Sequence, residues 1–195
     1  MIAALAALAL AAAAHAAPAV PSFEQPLIEL RSSVLAAAAR LDAQSQIQKV
    51  DRNVRLTDGQ AWQGRGQLAS LSAQAQSKPS DAMIQGQLSM LAQDLDVYAQ
   101  NCGTVRQQAQ ALAATAVKDP ALAADAKKLY EDSRVLDSDA GYLLLDARND
   151  EASLGVAGYG GQAYQLERLA EAGADLTPDV RESAKTVLDK ISGGR

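Results

Sequence analysis

With 195 residues, 48% of them hydrophobic, the chain can bury the core of one ordinary domain without disulfides or a structural metal. Aromatics are only 4%, so the apolar surface is largely alanine and aliphatic, spread along the chain in a way that suits close-packed helices rather than sheets. The net charge of −5, with Lys and Arg scattered, leaves no basic stripe to follow a phosphate backbone, and nucleic acid is excluded as the expected partner.

Residues 2 to 14 are only Ala, Leu and Ile, and Ala14-His15-Ala16 then supplies the small-x-small pattern of a signal-peptidase site. An exported protein is expected, periplasmic or secreted, with a signal peptide over residues 1–16 cleaved near Ala16 or Ala19 and no stable membrane span afterwards. No Lys or Arg precedes the apolar run, so either the true start differs from Met1 or the signal is atypical. The competing reading is an uncleaved anchor, which the run is too short to provide as a full span of about 20 residues. No Cys lies near the cleavage point to carry a lipid.

From Glu24 to Ser77, apolar residues set a seam through Leu27, Leu30, Val34, Ala37 and Leu41. It shifts phase near Gln44 and resumes through Ile47, Val50, Val54, Ala61, Leu68, Leu71 and Ala75. Gly59, Gly64 and Gly66 each cost about 1 kcal/mol against Ala in a helix interior, which predicts a break around Thr57-Asp58-Gly59 rather than one bent helix. Trp62, the only Trp, and Arg65 lie in this stretch. They are either partner-binding anchors, since Trp and Arg are enriched at interface hot spots, or a cover folded over the glycines.

Ser80 to Lys118 carries the clearest pattern: Ile84, Leu88, Leu91, Leu95, Tyr98, Cys102, Val105, Ala109, Leu112 and Ala116 alternate steps of four and three. Ser80 is the expected cap, and Asp119-Pro120 both ends this helix and opens the next. Leu122, Ala126, Leu129, Ser133, Leu136, Ala140, Leu143, Ala147 and Leu154 continue the repeat, which predicts an antiparallel helical hairpin. Gly155-Val-Ala-Gly-Tyr-Gly-Gly161 reads as a flexible joint, with Tyr159 as a second candidate recognition residue. Helices over about 162–172 and 178–191 complete the bundle, the second capped by Thr177. The expected fold is all-α: an elongated antiparallel bundle of three to four long helices over residues 24–154 with coiled-coil-like heptads, the joint at 155–161, and short C-terminal helices over 162–192.

Chemistry is limited by what is missing. His15 is the only histidine and lies in the expected leader, so a mature chain would lack histidine bases, His-ligated metals and haem attachment. No catalytic, cofactor or metal residues are assigned. Cys102 occupies a seam position, where an inert buried thiol is expected in preference to a cross-link. Between Asp119 and Glu151 nine acids face four basic residues, and Asp125, Asp132, Asp139 and Asp146 recur every seven positions. That stripe is either a docking surface for a basic partner, a cation ladder, or a solvated flank pairing with Arg31, Arg40, Arg52 or Arg55. The expected function is non-enzymatic protein–protein interaction in the cell envelope, as an adaptor, assembly or chaperone-like factor whose partner is another exported protein or a second copy. The alternative is a bundle that carries or senses a small ligand or cation.

Overall fold

The computed structural model describes residues 24–78 and 80–193. The expected signal peptide therefore lies outside the described residues. Five α-helices account for nearly all of them: α1 (Glu24–Ser77), α2 (Ala82–Thr115), α3 (Ala123–Val156), α4 (Gly160–Ala174) and α5 (Thr177–Ser192), with a 3-10 turn at Pro120–Leu122 ahead of α3. Among the described residues there is no strand. The all-α expectation holds.

The compact unit runs from Arg40 to Arg195, so the bundle begins later than the expected residue 24. In the separate unit that precedes it, residues 24–39 are helical and exposed; Leu27, Leu30 and Val34 keep about 60% of their surface. The apolar stripe of that stretch is not core. The core begins at Ile47, after the change of phase.

Within the compact unit, side-chain hydrogen bonds fix the directions of the helices. Asn53 donates to Gln108 at 2.8 Å and Asn101 donates to Gln60 at 2.9 Å, so position numbers rise along α1 as they fall along α2. Those two helices are antiparallel. Gln44 donates to Asp125 and Arg65 to Asp146, both across a separation of 81 positions, so α1 and α3 are parallel neighbours. Both α4 and α5 pack against α2 and α3 but barely touch one another, and together they make one fourth helix broken at Asp175–Leu176. α1 and the broken helix thus each lie beside both α2 and α3. This puts α2 and α3 at opposite corners of a four-helix square, antiparallel as expected, but without the intimate contact a simple hairpin implies. The link at 116–122, with its own 3-10 turn, is long enough to cross the corner.

The expected break at Thr57-Asp58-Gly59 is absent: α1 is continuous. Val54, Thr57, Ala61 and Leu68 are all buried, and their packing outweighs the propensity cost of three glycines. Gly64 is itself a packing residue, since a Cβ there would stand 2.9 Å from Leu95 Cδ2 and 3.7 Å from Leu143 Cδ1. The glycine-rich joint is also shorter than expected. α3 runs through Gly155 to Val156 and α4 starts at Gly160, which leaves three linking residues. Only Gly158, at φ +94°, needs the left-handed backbone there, and it lies against the hydroxyl of Ser80.

Asp81, rather than Ser80, caps α2, accepting from the amides of Met83 at 2.8 Å and Ile84 at 3.4 Å. Ser80 adopts φ 57° and directs its own N–H to Ala157 O at 3.0 Å. Thr177 is the first residue of α5 rather than its cap, and its hydroxyl donates to Asp137 at 2.9 Å. Cys102 is fully buried, and burial pushes its thiol up to about 11, which keeps it protonated and unreactive at neutral pH.

Candidate functional site

The seam between the parallel helices α1 and α3 carries a ladder of polar pairs. Gln44, Asp51, Asp58 and Arg65 recur every seven residues on α1, and each faces the aspartate 81 positions later on α3: Asp125, Asp132, Asp139 and Asp146. The 81-position offset is the same at the first and the last of these levels, with α1 and α3 running parallel between them. The acidic stripe is therefore neither a free surface nor simply a solvated flank. It is half-buried, one side of an inter-helix contact.

Its four levels differ in chemistry. At the first, Gln44 Nε2 donates to Asp125 Oδ2 at 2.8 Å. At the second, Lys128 bridges Asp132 and the buried Asp51, and Arg55 lies 3.2 Å from Asp51 and 3.5 Å from Asp132. Desolvation and the neighbouring Asp132 raise the Asp51 carboxyl above its usual range, against the pull of Lys128. At the third, Asp58 meets Asp139; burial first, then the Asp139 charge, push the Asp58 carboxyl up to about 6. At the fourth, Arg65 Nε donates to Asp146 Oδ2 at 2.7 Å. Of the arginines expected to serve this stripe, Arg55 does so; Arg40 instead pairs with Asp119 at 2.7 Å, holding that carboxyl below its usual range.

The fourth level opens onto the surface. Arg65 is held edgewise by Asp146, and its guanidinium carbon stands 5.7 Å from the Trp62 ring and 5.1 Å from the Tyr142 ring. Cation, carboxylate and two aromatic rings form one stack in which Arg65 is only 23% exposed, while Trp62 keeps 66% and Tyr142 50%. Leu145, one turn along α3 from Tyr142, is 51% exposed. Gly59, Gly66 and Gly141 have open space where a side chain would be.

Trp62, Arg65 and Asp146, chosen from the sequence, are thus brought together. Tyr142 joins them unforeseen. Trp62 does not fold over the glycines. Asp125, Asp132 and Asp139 lie at lower levels of the ladder, and Tyr159 belongs to no surface: it is fully buried, donating to Lys78 O at 2.6 Å and accepting from the Asp81 amide at 2.8 Å. That correction has a simple cause, because the short α3–α4 link turns Tyr159 inward beneath the α1–α2 loop.

A second concave feature lies on the other flank of α1. Gln63, Gln67, Gln74 and Gln87, with Leu71, Met90 and Asp94, line a groove of about 530 Å³ between α1 and α2. Among the described residues no three His, Cys, Asp or Glu side chains are gathered to hold a metal ion, and no helix is long and apolar enough to cross a membrane. Set against family models, curated proteins and solved structures, the chain matches none.

Proposed function

We propose that this is a non-catalytic, exported binding protein that docks another protein of the envelope or secreted space on its α1–α3 face. The observation that carries the reading is the Trp62–Arg65–Tyr142 stack, held by Asp146 yet open to solvent. An exposed tryptophan beside a half-exposed tyrosine costs solvation on a monomer's surface, and Trp, Tyr and Arg are the residues that dominate hot spots when a partner covers them. Pinning Arg65 beforehand reduces the side-chain ordering that association must supply.

The test is a photo-cross-linking residue at Leu145 in the native envelope, followed by identification of the linked species and titration of the purified pair. Trp62→Ala and Tyr142→Ala are each expected to weaken that pair by about 30-fold or more, equivalent to about 2 kcal/mol, with small changes in melting temperature. A partner that binds both variants as tightly as the parent chain would remove the stack from the interface. Recovery of the chain itself as the linked species would identify the partner as a second copy.

The groove between α1 and α2 favours one other reading, a carrier of a small neutral polar ligand. Its volume is that of a ligand pocket, and amides can donate and accept along its length with no cation to hold an acid. A ligand at 100 times its dissociation constant would add about 2.7 kcal/mol of stability. A thermal-shift screen of neutral polar compounds, read against Gln67→Leu, separates the two readings.

A further inference from the structure

The third level of the seam is the exception in the ladder. Its neighbours are supplied with cations, Lys128 and Arg55 on one side and Arg65 on the other, although Asp51 Oδ1 is also buried without a hydrogen-bond partner. At Asp58 and Asp139 no ion pair forms among the described residues. Asp58 Oδ1 is buried without a hydrogen-bond partner. Close by, the hydroxyl of Tyr98, a residue with no exposed surface, also lacks a partner, and both carboxyls bear on it electrostatically. The groups facing this level are Asp51, Arg55 and Arg65 from α1, Tyr98 and Cys102 from α2, and Lys128, Asp132, Asp139 and Asp146 from α3. From the fourth helix, Gly173 lies against the Tyr98 ring.

Two half-buried carboxyls that face each other across a seam, one with an enclosed oxygen and neither with a cation, do not both ionise cheaply; one keeps its proton and donates it to the other. We infer that the Asp58–Asp139 level is a proton-operated latch: one shared proton closes the α1–α3 seam beneath the Trp62–Arg65–Tyr142 stack, and its loss to solvent loosens it. With the proton in place, the Asp58 hydroxyl donates to the Asp139 carboxylate. Without it, two like charges face each other, and the strain is relieved by water entering the seam or by the helices easing apart. The levels on either side, Arg55 and Asp51 with Lys128 and Asp132 before it and Arg65 with Asp146 about 10 Å further along α1, are the contacts this disturbs.

The direction with pH follows from the raised carboxyl. Asp58 binds its proton more tightly in the folded chain than in the unfolded one, so the contribution is fully present below about pH 4 and is lost as pH rises through about 6. This stands independently of any partner.

Trp62 is the single tryptophan, and it lies beside the moving contact, so its fluorescence reports the latch directly. On the full chain, titration from about pH 4.5 to 8 is expected to give a one-proton change in Trp62 emission centred near 6 with constant helical circular dichroism. Asp58→Asn presents an amide donor to Asp139 at every pH, and is expected to hold the low-pH emission throughout. It is also expected to raise the melting temperature at pH 8 by about 3 °C while leaving it little changed at pH 5. Asp139→Asn is expected to abolish the same transition, which guards against a defect peculiar to position 58. A flat titration of the parent chain overturns the latch, as does a transition that survives in both variants. Equal melting shifts of Asp58→Asn at the two pH values also count against it.

Discussion

Gly173→Ala is expected to lower the melting temperature by roughly 10 °C. A Cβ at this position would fall 2.3 Å from Tyr98 Cε1 and 3.0 Å from its Cζ. Real Cβ atoms do not approach that closely, and the ring has nowhere to go because Tyr98 is completely enclosed. Against this, alanine improves on glycine in a helix by at most about 1 kcal/mol, and by less in the last turn, where residue 173 lies. Overpacking a sealed core costs about 3 kcal/mol or more, so the clash wins.

The contrast is Gly59→Ala, also in a helix but with open space at its Cβ, which is expected to raise the melting temperature by a few degrees. Calorimetry on the two variants tests the sign in both directions. Combining Gly173→Ala with Tyr98→Leu separates steric cause from backbone cause. The pair is expected to lose markedly less than the sum of its singles, because the leucine vacates the space the methyl needs.

Tyr159→Ala is expected to destabilise by about 4 kcal/mol, and Tyr159→Phe by about 2 kcal/mol. The phenylalanine variant keeps the buried ring and removes only the hydroxyl. That hydroxyl joins two backbone groups of the α1–α2 loop, Lys78 O and the Asp81 amide, to the start of α4. Without it both lose their partner in a partly enclosed site. The alanine variant also leaves a cavity in the core under the link. Chemical denaturation with unchanged m-values would show that both losses come from the native state. If phenylalanine proved neutral, the hydroxyl would not be what fastens the loop.

The interior of α2 and α3 was legible from the chain because burial alone produced the pattern. Ile84, Leu88, Leu91, Leu95, Tyr98, Cys102, Val105, Ala109 and Leu112 are all buried at the expected positions. Glycine was harder to interpret, since the same residue type marks an open surface at Gly59, a close approach at Gly64 and a left-handed turn at Gly158. Propensity arguments treat the three alike; packing distinguishes them. The exposed stripe over residues 27–34 shows the converse, a seam-like pattern that the compact unit does not use.

Half of the candidate site was visible in the same way. Trp62 and Arg65 stand out by rarity and neighbourhood, and Asp146 by its period. Tyr142 has no such signal, because its place beside Arg65 depends on α1 and α3 running parallel across an intervening helix. For the same reason Asp51 and Asp58 passed unremarked: they become partners of the acidic stripe only when 81 positions separate neighbours in space.

A ladder that repeats every seven residues carries an ambiguity, since α1 could slide by one repeat along α3 and still meet an aspartate at most levels. Gly64 removes it. It is the one place on α1 where Leu95 and Leu143 can press close to the backbone. Seven residues to either side stand Thr57 and Leu71, both bulkier and already packed where they are. Sliding would drive one of them into the two leucines. A single missing side chain thus works as the notch in a key, allowing one alignment and setting which arginine arrives opposite Asp146 and Tyr142.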